Sequence, residues 1–187
     1  MIKCPNPECQ AMNQEGTDQC ASCKMPVPHR YLWAVAPGKF VPDNLDQRYV
    51  WQHQKIVLDI EPGLPPVSPD PVPTYVWPYL MLAAHRLHMP QPYALLNPGT
   101  GRETLLLDTA AIANESGSLN PKLLPSLKEV WPTASPLRQL NWLWQIATLW
   151  SDFGEQQVAS SLLSNHQLRV HGSLVRLLEL VIDVQSP

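Results

Sequence analysis

Four cysteines are the residues of this sequence whose type and spacing most directly indicate a specific chemistry. They form two short-range pairs, Cys4 with Cys9 and Cys20 with Cys23, and ten residues separate the pairs. A tetrahedral zinc ion needs four thiolates at about 2.3 Å from one centre, and two close pairs on facing loops supply that geometry. The sequence therefore predicts a structural Zn²⁺ site, because four sulfur ligands leave no position open for a substrate.

Two disulfides, or four unrelated thiols, are the alternatives to a metal site. No positively charged, apolar secretory signal is present near the N-terminus, which favours a reducing, cytoplasmic location where disulfides are rare. A segment as short as residues 1–30 also buries too little apolar area to fold by itself. Both arguments favour a metal-bound zinc ribbon over residues 1–30.

The charge balance argues against nucleic-acid binding. The formal net charge is −3, whereas nucleic-acid binding calls for a basic patch and a high pI. Within residues 1–30, three Lys and Arg side chains are balanced by three acidic ones, and four thiolates on a divalent ion would add two negative charges. We therefore expect a protein partner, and neither nucleic acid nor a membrane.

Strand-like and proline-rich stretches follow the cysteines. Tyr31–Val35 is a short apolar run, and Arg48–Ile60 is rich in β-branched and aromatic residues, as expected of one or two strands. Seven prolines then occur between residues 62 and 78, which favours an extended connection. We predict two domains, residues 1–30 and 31–187, with the connection at 62–78 inside the second.

Two short helices are predicted in the middle of the chain. Tyr79–His88 has a helical pattern that ends before Pro90, and Leu119–Trp131 is a short helix interrupted by prolines. His85 and His88 would share a helical face, as metal ligands can. Because no third ligand is recognisable, we interpret them as ordinary helix residues.

A hairpin is predicted between these helices. Apolar runs at residues 92–96 and 103–107 flank the turn-forming stretch Asn97–Gly101.

The stretch from Ser135 to Trp150 predicts a long helix. Ser135 is a suitable N-cap, Pro136 fits the first helical position, and Gly154 is a suitable left-handed stop. At 100° per residue, one narrow strip is polar and leucines, Ile146 and three tryptophans occupy most of the remainder. The polar strip consists of Arg138, Asn141, Gln145 and Thr148. We predict a mostly buried central helix, too short and too polar to span a bilayer.

The order of these elements resembles the protein-kinase fold from its small lobe into the start of its large lobe. Residues 88–93 and 104–108 resemble the fourth strand and the fifth strand with its hinge. Residues 158–170 resemble a catalytic loop, and 174–180 the strand before the magnesium-binding motif. The fold class implied is α+β: a zinc ribbon, then a truncated, degenerate kinase-like domain with a small-lobe sheet, a long buried helix and a C-terminal hairpin.

The cysteine prefix resembles that of cyanobacterial four-cysteine-prefix serine/threonine kinases. Together with the stretch from Arg138 to Trp150, it is more similar to the N-terminal part of cyanobacterial proteins that carry a type 2C serine/threonine phosphatase domain downstream. This resemblance implies a role in phosphatase signalling. The chain would then be a fragment of a longer protein, or a truncated relative that stands alone.

The residues that phosphoryl transfer requires are missing from the positions that match the kinase motifs. No glycine-rich loop occurs between Gly38 and Gly63, and Asp59 stands where the lysine is expected. Ser161 replaces the catalytic aspartate, and Gln167 and Glu179 occupy the magnesium-binding positions. We therefore expect no enzymatic activity from this chain.

Asp152–Gly154 spells the magnesium-binding motif itself. It directly follows the long helix without a catalytic loop before it, so we interpret the match as chance.

The leading hypothesis is a noncatalytic regulatory or protein-interaction module that binds a protein partner or a phosphatase domain. The alternatives are a nucleotide-binding pseudokinase or atypical kinase, with Gln167 and Glu179 holding a metal, and a nucleic-acid adaptor, which the charge balance does not support.

Overall fold

The described part of the chain, in this computed structural model, is residues 1–36, 47–66, 69–113 and 120–183. It has a mixed α+β fold whose contacts divide it into two units. The first unit consists of Met1–Pro69, Tyr93–Asp108 and Ile112–Lys122. The second consists of Asp70–Pro92, Thr109–Ala111 and Leu123–Pro187.

The main sheet of the first unit has five strands. The strands of the described residues are β1 (Ile2–Lys3), β2 (Met12–Asn13), β3 (Arg30–Val35), β4 (Tyr49–His53), β5 (Ile56–Asp59), β6 (Gln91–Leu96), β7 (Thr104–Asp108), β8 (Ile112–Ala113), β9 (Lys122–Leu123), β10 (Leu168–His171) and β11 (Leu174–Leu177). The sheet order is β4-β5-β3-β7-β6, and β3 pairs antiparallel with both β5 and β7. Three two-stranded sheets, β1-β2, β8-β9 and β10-β11, complete the strand pairing that is described.

Strands β3, β4 and β5 lie where β-branched and aromatic residues predicted them. The stretch Arg48–Ile60 forms two strands, β4 and β5, joined by a turn in which Gln54 has φ 51°. All four residues of β5 are buried. The predicted hairpin around Asn97 is also confirmed, with β6 and β7 as neighbours in the sheet.

The helices of the described residues differ more from expectation. They are α1 (Trp77–Met81), α2 (Leu127–Val130) and α3 (Pro136–Glu155), with 3₁₀ turns at Thr74–Val76, Ala83–His85, Trp131–Thr133 and Ala159–Leu163. The predicted helix Tyr79–His88 therefore begins earlier, inside the proline-rich stretch, and is broken at Leu82. Proline stabilises a first helical turn because its missing N–H is not needed there, and Pro78 lies in that turn of α1.

The predicted helix Leu119–Trp131 is much shorter than expected. Its first residue lies outside the described part of the chain, and Lys122–Leu123 is a strand. The helix begins only after Ser126, whose side chain accepts a hydrogen bond from Glu129 N (3.2 Å), while Ser126 N donates to Glu129 Oε2 (2.7 Å). This capping box determines where α2 begins.

The long helix α3 begins at Pro136 as predicted, although the Ser135 side chain makes no capping hydrogen bond. The predicted stop at Gly154 is wrong, because Gly154 lies inside the helix. Gln157 has the left-handed conformation instead, with φ 57°, and Val158 N donates to Phe153 O at 3.0 Å. These are the features of a Schellman ending, with glutamine where glycine is usual.

The prediction that α3 is mostly buried is also wrong. Its buried residues are Trp142, Gln145, Leu149 and Phe153. Five large apolar side chains on the other side are exposed: Leu137 (78%), Leu140 (62%), Leu143 (51%), Trp144 (63%) and Trp150 (45%). The remainder of the second unit covers only one side of α3, and that side includes part of the predicted polar strip.

Among the described residues, no helix combines the length and apolar character needed to cross a bilayer.

Candidate metal centre

The first cysteine loop begins directly after β1. Cys9 N and Gln10 N both donate to Asn6 O at 3.1 Å, which closes a tight turn after Cys4. Gln10 follows the second cysteine with φ 50°, and its Nε2 donates to Pro7 O at 2.8 Å. The backbone therefore reverses within the loop, so that Cys4 and Cys9 lie on the same side of it.

The second loop has the same local form. Cys20 N donates to Met25 O at 2.8 Å, and Lys24 N donates to Cys20 O at 3.0 Å. Lys24, directly after Cys23, has φ 63°, and its Nζ donates to Ala21 O at 3.2 Å. In each loop, a left-handed residue follows the second cysteine and its side chain bonds to the carbonyl three residues before it.

Asn13 connects the two loops. Its side chain is buried, its Oδ1 accepts a hydrogen bond from Ala21 N at 3.0 Å, and its Nδ2 donates to Ala11 O at 3.0 Å. The amide thereby fixes the second loop against the strand that leaves the first. This contact was not recognised in the sequence, where Asn13 is one polar residue among several.

The four predicted ligands meet at one point. Cys4 Sγ lies 3.6 Å from Cys23 Sγ, and Cys9 Sγ lies 3.8 Å from Cys20 Sγ. All four sulfur atoms lie within 4.8 Å of one another. Each of these two short sulfur–sulfur distances joins a cysteine of the first loop to a cysteine of the second loop. The two cysteines that are near each other in the sequence lie in the same loop.

These distances fit a metal site and do not fit disulfides. For ligands at about 2.3 Å from a tetrahedral centre, adjacent sulfurs are about 3.8 Å apart. A disulfide needs about 2.05 Å between its sulfurs, and all four cysteines are free. The cluster is therefore compatible with one ion bound by four sulfurs.

The surroundings of the sulfurs affect their protonation unequally. Hydrogen bonds from backbone groups, chiefly the one from the backbone of Cys23, lower the pKa of the Cys20 thiol to about 6. Backbone hydrogen bonding from Met25 lowers the pKa of Cys23 as well, whereas burial raises the pKa of the Cys4 thiol to about 12. A cation that binds all four sulfurs must therefore displace the proton of Cys4 at neutral pH.

The loops are held on the segment after β5. Lys3 N donates to Ile60 O at 2.8 Å, and Lys3 Nζ pairs with Glu61 Oε1 at 3.2 Å. A Cβ atom on Gly63 would lie 2.7 Å from Pro5 Cα, so only glycine allows this approach. The cysteine loops are therefore part of the packing of the first unit.

The two histidines considered as metal ligands have other partners. His85 Nε2 lies 2.6 Å from Asp152 Oδ2, and His88 Nδ1 lies 2.9 Å from Val175 O. Within the described ranges, the four cysteines cluster as potential metal ligands, and no such cluster includes these histidines. Asp152 and Gly154, from the chance motif, are both helical residues of α3.

Three of the positions that match the kinase motifs make hydrogen bonds within the second unit. Gln167 and Glu179 bond to each other, with Gln167 Nε2 donating to Glu179 Oε1 at 3.3 Å and Glu179 N donating to Gln167 Oε1 at 3.2 Å. Ser161 is buried, and its Oγ accepts a hydrogen bond from Val181 N at 2.7 Å. Each of these contacts joins backbone segments of the second unit.

Asp59 belongs to a buried ion-pair network that the sequence did not indicate. Its two carboxylate oxygens accept from Arg48 at 2.9 and 2.8 Å, and Tyr93 Oη donates to Oδ2 at 2.9 Å. The hydrogen bond to Asp59 raises the pKa of the Arg48 guanidinium, and burial raises that of Tyr93. Tyr49 lies opposite Asp59 in the β4-β5 register, which brings the neighbouring Arg48 to the carboxylate. Tyr93 belongs to β6, which is far from Asp59 in the sequence.

No model of a protein family, no curated protein and no solved structure matches this chain. Its function is therefore inferred from its own residues.

Proposed function

We propose that this chain is a noncatalytic regulatory module that acts by binding protein, and that a structural zinc ion holds its N-terminal loops. The observation that carries the binding role is the exposed apolar side of α3. Its five large leucine and tryptophan side chains are 45–78% exposed. Large contiguous apolar patches on a protein surface mark interaction sites, protein contacts among them.

The donor set supports zinc as the metal. A single centre with four thiolates selects zinc or iron among the common biological ions, and zinc is the usual structural choice. Cys4, Cys9, Cys20 and Cys23 would hold the ion and together fill its tetrahedral coordination. The ion would connect the two loops covalently through its ligands. Such a site belongs in the reducing cytoplasm, where thiols persist.

The sequence resemblance supports a phosphatase-linked partner. The resemblance of residues 31–187 to protein kinases rests on sequence stretches alone. The same holds for the resemblance of the cysteine prefix and the stretch from Arg138 to Trp150 to the N-terminal part of type 2C phosphatase proteins. The nucleotide-binding alternative needs Gln167 and Glu179 to hold a metal ion. Their hydrogen bonds to each other favour a structural role instead.

The test is sedimentation velocity of the purified, zinc-loaded chain, alone and mixed with a type 2C phosphatase domain. We expect association that is lost in Trp144→Glu, which places a charge on the exposed side of α3. Leu163→Glu is the matched control, since Leu163 is equally exposed (67%) but lies outside α3. The proposal fails if the chain associates neither with itself nor with the phosphatase domain, or if it transfers phosphate from ATP.

A further inference from the structure

The exposed side of α3 carries a regular pattern of residue size. Six residues follow one another at alternating intervals of three and four: Leu137, Leu140, Trp144, Ala147, Ser151 and Gly154. This is heptad spacing, which places all six in one stripe along a helix. All six are exposed. We call them the α3 stripe.

The two halves of the α3 stripe differ in volume. Its N-terminal half is large, with two leucines and a tryptophan, and its C-terminal half is small, with alanine, serine and glycine. Leu137 and Gly154 are equally far from the middle of the stripe, which falls between residues 145 and 146. The same is true of the pair Leu140 and Ser151 and of the pair Trp144 and Ala147.

We propose that this stripe binds the same stripe of a second copy, with the two α3 helices antiparallel about a two-fold axis near residues 145 and 146. A two-fold axis at that point places each large residue opposite its small counterpart on the other copy. Trp144 then packs over Ala147, and Leu137 over Gly154. Large side chains fill the space left by small ones, which is what close packing between helices requires.

A parallel pair would not pack in this way. It would place Trp144 against Trp144 and Gly154 against Gly154, so that one end is overfilled and the other leaves a void. Both defects destabilise an interface. The size pattern therefore specifies the antiparallel arrangement.

The flanking residues also suit burial between two copies. Leu143 and Trp150 lie along one edge of the stripe and are half exposed. In an antiparallel pair, this edge meets the same edge of the second copy, so that Leu143 approaches Trp150. No charged residue occurs between Arg138 and Asp152, so the contact would bury no unpaired charge.

The exposed area is sufficient for a weak but specific dimer. With about 150–250 Å² for a whole aromatic side chain and somewhat less for leucine, the five large side chains expose on the order of 500 Å² per copy. Two copies would then bury on the order of 1,000 Å², near the lower limit for specific interfaces. We therefore expect a dissociation constant in the micromolar range, on the order of 1–100 μM.

The inference rests on the proposed binding role of α3 and names its partner as a second copy. Sedimentation equilibrium of the full, zinc-loaded chain tests it over concentrations of roughly 1–200 μM. The variants are Leu140→Glu, Ser151→Lys and the double variant that combines them. In one helix these positions are three turns apart, whereas in the antiparallel pair each faces the other across the interface.

We expect each single variant to weaken the dimer by about tenfold or more, because a charge is buried without a partner. The double variant should recover most of the loss, because two Glu–Lys pairs form between the copies. Leu163→Glu should leave the dimer unchanged. Circular dichroism controls for folding, and Trp144→Gln replaces Leu140→Glu if that variant does not fold.

Three outcomes would overturn the inference. A chain that stays monomeric over this range has no self-association to explain. A double variant as weak as the single ones excludes the antiparallel arrangement. A monomer that still binds the phosphatase domain, and loses that binding in Leu140→Glu, shows that a different protein covers the stripe and leaves the proposed function intact.

Discussion

Gln145 holds the turn between β10 and β11 through the backbone of Ser173. Its Nε2 donates to Ser173 O at 2.7 Å, and its Oε1 accepts a hydrogen bond from Val175 N at 2.9 Å. Asn141 Nδ2 also donates to Ser173 O, at 2.8 Å. Polar side chains thus attach α3 to its own unit beside the buried Trp142, Leu149 and Phe153, and the apolar residues of the opposite side stay exposed.

Replacing Gln145 by leucine should destabilise the second unit. The substitution keeps approximate volume but leaves the N–H of Val175 without its partner in a buried place. An unsatisfied buried group costs about 1–3 kcal/mol. Urea unfolding followed by circular dichroism measures the loss, with the exposed Arg138→Gln as a control expected within about 0.5 kcal/mol of wild type. Equal stabilities of the two variants would contradict the role given to Gln145.

Removing the metal should unfold the cysteine loops and leave α3 intact. Structural zinc supplies most of the folding free energy of such small segments, with apparent values of about 10–16 kcal/mol in zinc-finger peptides. Amide hydrogen exchange before and after a strong chelator is the measurement. We expect residues 1–29 to lose protection while the amides of residues 140–153 retain it. Unchanged protection of Cys4 and Cys20 after chelation would show that the loops do not depend on a metal.

Zinc affinity should fall as the pH falls. Burial holds the pKa of Cys4 at about 12, so its thiol is protonated at neutral pH and must release a proton when it binds the ion. The pKa of Cys20, lowered to about 6, means that this thiol begins to bind protons only in mildly acidic solution, where it too opposes zinc binding. Calorimetric titrations in buffers of different ionisation enthalpy count the protons released. An enthalpy that does not depend on the buffer would be inconsistent with protonated Cys4.

Arg48→Ala should be among the most damaging single substitutions in the first unit. It leaves the carboxylate of Asp59, which is 0% exposed, without its cation. Breaking a buried pair from one side costs about 3–5 kcal/mol. Lys3→Ala removes the cation of the partly exposed pair with Glu61 and should cost about 1 kcal/mol or less. Thermal unfolding compares the two variants, and similar melting temperatures would refute the buried network.

The sequence was sufficient to predict features that depend on local spacing. The cysteine cluster, the strands β3 to β5 and the β6-β7 hairpin all follow from residues close to one another in the chain. The left-handed residues of the two loops were not predicted, because Gln10 and Lys24 are not residue types that favour that conformation. The surrounding hydrogen bonds impose it on them.

Features that depend on distant residues could not be predicted in this way. Helical periodicity showed that α3 has a polar strip and an apolar side, but it assumed that the apolar side is the buried one. In the structure, a hydrogen bond from Gln145 to Ser173, 28 residues further along the chain, holds this part of the polar strip on the buried side of α3. Likewise, Tyr93 lies 34 residues from Asp59, so only the folded sheet brings its hydroxyl to the carboxylate.

The central claim is that four sulfurs surround one structural zinc ion, and zinc-edge X-ray absorption of the purified chain tests it most directly. The account predicts a first shell of four sulfur atoms at about 2.3 Å and no nitrogen or oxygen ligand. A shell that includes a light atom, such as a water oxygen, would contradict it. The ion would then have an open position, and the conclusion that the centre is structural would no longer hold.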